Sequence, residues 1–352
     1  MKFFTVLLIV FTTFLACEKA SLYEVPHGEE VAYNSNDTML ESNVKTNSIA
    51  FIAGFDEDEN TYYTNATRYF KNQQIPVVEE LYSLDEIIAY LNMSTKTYKN
   101  IHIISHSNPW AGISLKVSKD GNRITVHNLD TALNSKSIPI VTHGVDENTN
   151  IIFHSCGLGE NTELAQLLKQ AFTNTVSPQL IASPYFNVFG GNYVPHYLAK
   201  PYYVSYPTGH SPGPLALSEE MKTIYPKVTI DWNTALTTRK ETTATEIYSY
   251  RFNVPVEWEF TFEDVSEIPS LETRDDIMDF VSEQDEMAMA LYELGIPLEK
   301  YRWIIKISEE KKTLLIKGKT TILCVLDPIE NSNDAGNYAV PEITNENLYT
   351  VF

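Results

Sequence analysis

Three cysteines in 352 residues are too few for a disulfide framework, so stability has to come from an apolar core, for which a hydrophobic content of 43% is ordinary. Basic residues are scarce as well, with 26 Lys and Arg against 46 Asp and Glu. That balance gives no obvious basic surface for a phosphate backbone, and nucleic acid is not an expected partner. The apolar run near the amino terminus, Phe3 to Phe14, is shorter than the roughly 20 residues a spanning helix needs. No repeat and no clear linker divides the chain, whose length fits one large domain or two modest ones.

The amino terminus does hold an export pattern. Lys2 supplies a short basic end, Phe3 to Phe14 the apolar run, and Leu15-Ala16-Cys17 a small-residue cleavage site at a cysteine. This resembles a bacterial lipoprotein signal, residues 1–17. The resemblance implies diacylglycerol on the Cys17 thiol, loss of residues 1–16, and a protein held outside the cytoplasm by its lipid. An ordinary secretory signal with an incidental Cys17 is the alternative. Residues 18–48, rich in Asn, Ser, Glu and Thr, read as a tether.

From Ile49 the pattern is that of an α/β domain, residues 49–225, followed by an α+β extension or second subdomain, residues 226–352. Buried-strand runs at Ile49–Ala53, Ile75–Val78, Asn100–His106, Asn150–Cys156 and Gln179–Ala182 alternate with helical spacing at 62–71, after Ser83, at 128–133 and after Thr162. Ser83-Leu-Asp-Glu86 reads as a capping box, and Asp120-Gly121-Asn122 as a hairpin turn. Strands alternating with helices imply a mainly parallel sheet in a three-layer α/β/α sandwich. Further on, 195–214 reads as a loop-rich wall, 218–236 as helical, Thr237–Thr245 as an exposed loop and 248–262 as a half-buried strand with Pro255 at an edge or bulge. One helix is expected over 275–294, stopped by Gly295, and strands over 303–307, 313–316 and 320–326.

Two of these strands end in reactive side chains, His106 and Cys156. Parallel neighbours would bring both to one carboxyl edge, where open α/β folds keep their sites. A thiolate is a nucleophile, an imidazole can lower its pKa or protonate a leaving amine, and backbone N–H groups at the tips can hold an oxyanion. Ile101-His-Ile-Ile-Ser-His106-Ser, a hairpin, Ile151-Ile-Phe-His-Ser-Cys156-Gly-Leu-Gly, a helix and Leu180-Ile-Ala-Ser183 together resemble the caspase-like fold of clan CD cysteine peptidases. The resemblance implies His106 as the catalytic histidine, Cys156 as the nucleophile, and an oxyanion hole from the backbone N–H groups of Ser107 and Cys156. It implies hydrolysis of a peptide or protein substrate without a cofactor. Ser107 stands where that family has Gly.

Other readings of the same residues stay open. The cleft of a catalytically silent, caspase-like surface protein would bind a peptide or protein partner instead of cutting it. His102, His106, His154 and Cys156 have side chains suited to zinc, though not in paired spacing. A hydrolase would place a histidine after the nucleophile, as His196 and His210 are, but its nucleophile elbow needs glycine where His154 and Leu158 stand. His102 and His154 read as inner-sheet residues with hydrogen-bond partners. His143, His196 and His210 read as solvated, and Asp56 and Asp58 as turn residues. Asn108-Pro-Trp110 reads either as a cleft wall or as packing for a turn. Cys324 reads as a buried small hydrophobe that a disulfide to Cys156 would engage. Precursor processing, common among caspase-like enzymes, is expected at Arg239-Lys240.

Overall fold

Hydrophobic periodicity in the amino-terminal half translates directly into alternating strands and helices. The structure is a computed structural model that describes residues 7–8 (backbone only), 47–55, 61–238, 247–332 and 336–352. After the short strand Leu7–Leu8 (β1) come Ser48–Ala53 (β2), helix Thr61–Asn72 (α1), Val77–Leu81 (β3), helix Leu84–Asn92 (α2) and Asn100–Ile104 (β4). A small antiparallel sheet of Ser107–Asn108 (β5), Gly112–Lys116 (β6) and Arg123–Ile124 (β7) follows. Helix Val126–Asn134 (α3), Asn150–Phe153 (β8), helix Thr162–Ala171 (α4) and Gln179–Ala182 (β9) complete this half. The parallel strands lie in the order β3-β2-β4-β8-β9, and Thr350–Val351 adds antiparallel at the outer edge of β9. This is a doubly wound order whose switch point falls between β2 and β4.

Both faces of the sheet are covered, which is why β2 is a continuous apolar run with every residue buried. On one face, α2, α3 and α4 set Ile88, Leu129, Leu164 and Leu168 against Phe51, Ile103 and Phe153. On the other, Tyr62, Tyr63, Ala66 and Phe70 of α1 cover Ala50, Ile52 and Ile104. The expected layering of helices about a mainly parallel sheet is therefore present. Burial of Leu164 and Leu168 contributes about 1.5–3 kcal/mol each, against roughly 1 kcal/mol for the Asn161 side-chain cap on Leu164 N–H. Tertiary packing places α4; the cap sets where it begins. At α2 the expected box is rearranged: Glu86 accepts from the Tyr82 N–H at 2.9 Å and from the Ser83 hydroxyl at 2.8 Å.

A second, antiparallel sheet packs on the α1 side. Its strands are Phe186–Phe189 (β10), His196–Pro207 (β11), Tyr248–Thr261 (β12), Arg302–Ser308 (β13) and Thr313–Pro328 (β14), with β1 at the outer edge of β12. Helices Pro214–Ile224 (α5), Trp232–Thr237 (α6), Arg274–Glu283 (α7) and Asp285–Leu294 (α8) accompany it, and Thr350–Val351 is the last strand (β15). The sheet draws strands from both sides of residue 225.

Several expectations for this region change. The stretch 195–214, expected to be a loop-rich wall, is mostly β11, with Tyr202, Val204 and Tyr206 turned inward. Beyond Ala199 it pairs with β14 alone, so Pro201 and Pro207 have a flank that asks for no N–H. Pro226 forces Tyr225 out of helical conformation (φ −121°, ψ 62°) and splits 218–236 into α5 and α6. The helix expected over 275–294 breaks at Gln284, because Ile277 and Val281 are out of helical phase with Met287 and Leu291. Both pairs reach the same core only by a change of direction. Runs 313–316 and 320–326 are one strand, β14. Gly318 joins them because a Cβ there would sit 2.6 Å from the Trp303 ring. Pro255 lies on β12 opposite Lys319 of β14, at a position that the short pairing of β1 with Trp258 and Glu259 does not reach.

Candidate active edge

β4 and β8 are parallel neighbours, with Ile101 opposite Ile151 and Ile103 opposite Phe153, so His106 and Cys156 leave the sheet at the same carboxyl edge. His106 is half-buried between two tyrosines of α1, its ring 4.4 Å from that of Tyr62 and 5.0 Å from that of Tyr63. The His106 N–H donates to the Tyr63 hydroxyl at 3.1 Å, and its carbonyl accepts from Ser114 N–H at 2.7 Å. Hydroxyls then fasten the Cys156 tip, one to the His106 tip and one to α1. Ser107 Oγ donates to the Cys156 carbonyl at 2.6 Å, and Tyr62 Oη donates to the His154 carbonyl at 2.6 Å. Behind the His106 loop the buried Arg123 guanidinium lies over the Phe55 ring at 4.8 Å, with Nη1 at 3.5 Å from the Ala111 carbonyl. It supplies a positive charge close to the edge.

The Cys156 thiol points the other way, into the second sheet. It is 9% exposed and packs among Phe186, Tyr197, Tyr248 and Cys324, with Sγ 3.8 Å from the Asn187 carbonyl oxygen. Burial pushes this thiol up to about 12, and a backbone hydrogen bond with Asn187 offsets only part of that. It is therefore protonated at neutral pH. Cys324, fully buried on β14, is raised by the same cause, and both cysteines are free.

Beneath the edge lies a cluster of three imidazoles. His102 Nδ1 is 3.0 Å from His154 Nε2, while His154 Nδ1 and His196 Nε2 reach Asn187 Oδ1 at 3.3 and 3.1 Å. An amide oxygen only accepts, so both histidines donate to it; His154 Nε2 is then an acceptor and His102 Nδ1 its donor. Every contact is met by neutral rings. Burial lowers all three pKa values, that of His154 to about 4. His102 and His154 are inner-sheet residues with partners, as expected. His196 is not solvated: β11 buries it against Phe189, at a ring separation of 4.3 Å.

The zinc alternative does not assemble, because Cys156 turns into the apolar cluster while His102 and His154 bond to each other. Among the described residues no group of three or more His, Cys, Asp or Glu is arranged to hold a metal. Trp110 packs against Tyr203 and Phe252 and so anchors its turn rather than standing as an open wall. Cys17, Asp56, Asp58, Arg239 and Lys240 lie outside the described residues, among which no helix is long and apolar enough to cross a membrane. Sequence reasoning passed over Tyr62, Tyr63 and Asn187. Tyr62 and Tyr63 share the apolar stripe of α1 with Ala66 and Phe70, and Asn187 is a lone amide within the apolar strand Phe186-Asn-Val-Phe189. Both signals are in the sequence, but neither says which strand tip it meets. No protein-family model matches the chain, and no curated protein does.

Proposed function

We propose that the chain is a caspase-like cysteine peptidase, exported and lipid-anchored through Cys17, whose Cys156 and His106 hydrolyse peptide bonds at the carboxyl edge of the parallel sheet. One observation carries this reading: the two groups leave adjacent parallel strands at the edge beside the switch point, with their backbones joined by the Ser107 hydroxyl. In the reaction the Cys156 sulfur gives up its proton to the His106 imidazole and attacks the scissile carbonyl carbon. The backbone N–H groups of Ser107 and Cys156 hold the oxyanion, and His106 protonates the departing amine; water then hydrolyses the thioester. The seat of the thiol sets a requirement. A group raised to about 12 is a poor nucleophile at neutral pH, so turnover requires the cover of Phe186, Tyr197 and Tyr248 to open. Any maturation cut is assigned to the Arg239-Lys240 stretch, and peptide mapping that finds only intact chain there removes it.

That same burial favours a second reading, in which the edge binds a peptide or protein partner and the thiol is structural. The two separate on a mixed peptide library combined with alkylation of Cys156. The peptidase reading expects cleavage that Cys156→Ala and His106→Ala each abolish and Cys324→Ser retains. Reduced protein that cleaves nothing, and whose Cys156 resists alkylation, leaves the binding reading.

A further inference from the structure

The loop from Ser107 to Ala111 touches the site at one end and the carboxyl-terminal helices at the other. Ser107 holds the Cys156 carbonyl. Asn108 Oδ1 accepts from the N–H groups of Trp110 and Ala111 at 3.0 and 2.7 Å, which closes the turn and sends the indole outward. The indole lies edge-on to Tyr203 at 5.0 Å and tilted against Phe252 at 5.3 Å, and its Nε1 donates to the Leu294 carbonyl at 2.8 Å. Leu294 is the last residue of α8, where carbonyls have no intrahelical donor, so this bond satisfies a helix end and an indole together. Tyr203 and Phe252 in turn pack against the cluster that covers Cys156.

We propose that Trp110 is a positioning residue that couples the end of α8 to the Cys156 edge, a regulatory role that rests on reading this edge as the Cys–His site. Displacement of the Leu294 carbonyl releases the indole. The loop then loosens at both of its attachments, the Ser107 hydroxyl on the Cys156 backbone and the aromatic cover over the thiol. Signals arriving at α7 and α8, far along the chain from His106, thus reach the nucleophile through one side chain.

Site-resolved mass spectrometry of iodoacetamide labelling across pH, on the full chain, tests this with Trp110→Phe, Gly295→Ala and the double variant. Trp110→Phe keeps an aromatic ring and removes the N–H. Gly295 caps α8 in left-handed conformation (φ 63°), and a Cβ there meets no atom within 4 Å, so Gly295→Ala perturbs the helix end through its backbone alone. Each single variant is expected to raise the Cys156 labelling rate about fivefold and to move its pH profile lower. The double variant is expected to label no faster than the quicker single, because both act through one contact. Amide exchange in β8 should stay at the parent rate. Effects that multiply, a silent Gly295→Ala, or faster exchange in β8 that matches the gain in labelling would each overturn the coupling. Parent protein that cleaves no peptide while the cycle is non-additive removes the peptidase reading and leaves the coupling; turnover with independent effects does the reverse.

Discussion

Ser107 donates to the Cys156 carbonyl at 2.6 Å from a position where the caspase-like resemblance implies glycine, so its hydroxyl joins two strand tips that glycine would leave separate. Ser107→Gly removes one hydrogen bond and adds backbone freedom to the unfolded chain. It is expected to lower stability by about 1–2 kcal/mol in urea titrations, while peptide turnover holds or rises. Loss of turnover with unchanged stability would show that the side chain, not the backbone N–H, serves the reaction. His154 makes a prediction of the opposite kind. Its folded pKa, about 4, lies below the ordinary value because burial disfavours the cation; His102 and His196 are lowered by the same cause. A group with a depressed folded pKa of this type favours the neutral form, so its stabilisation is complete above about pH 6.5 and is lost as pH falls towards 4. The groups facing the cluster are Tyr69 and Phe70 of α1, Asn187 and Phe189 of β10, and the histidines themselves, with no carboxylate among these contacts to offset a proton. The urea midpoint is expected to fall between pH 6.5 and 4, with roughly 3 kcal/mol at stake for His154, and His154→Gln should flatten that slope. Equal slopes in parent and variant would assign the acid response elsewhere.

Elements in the two halves follow different rules. β2, β4 and β8 are short apolar runs buried on both faces, and such runs announce themselves in the sequence because each is specified by its own residues. β14 is specified by its neighbours. Its central Gly318 reads as a break, yet the strand passes through because Trp303 on β13 fills the space a side chain would need. Gly318→Ala would place a Cβ 2.6 Å from that ring and 2.8 Å from Val256 Cγ2. The expected cost is about 1–3 kcal/mol of unfolding free energy, with hydrogen exchange quickening first in β13. An unchanged urea midpoint would mean that the indole moves aside freely. Similarly, α7 and α8 look like one helix until both apolar pairs must face one core, which the break at Gln284 permits.

For the whole molecule, the lipid-anchor proposal is the most directly separable. Cys17→Ala is expected to leave an unlipidated protein that partitions to the soluble fraction, with intact mass reporting residues 1–16 still attached. Equal membrane association of variant and parent would remove the anchor. Maturation at Cys17 would also remove β1 from the edge of β12, leaving a strand whose Pro255, Glu257 and Glu259 discourage pairing with another chain. By itself the sequence determined the α/β class, the mainly parallel sheet, the burial of Cys324 and the shared edge of His106 and Cys156. Each of these follows from local periodicity and from the rule that parallel strands aim their carboxyl ends one way. Only the tertiary structure decided where the Cys156 thiol points, that His196 joins His102 and His154 around Asn187, and that Trp110 ends on Leu294. Those contacts link residues far apart in the chain through the second sheet, whose strands pair by long-range register, and no local pattern encodes which side chain will meet which across such a gap.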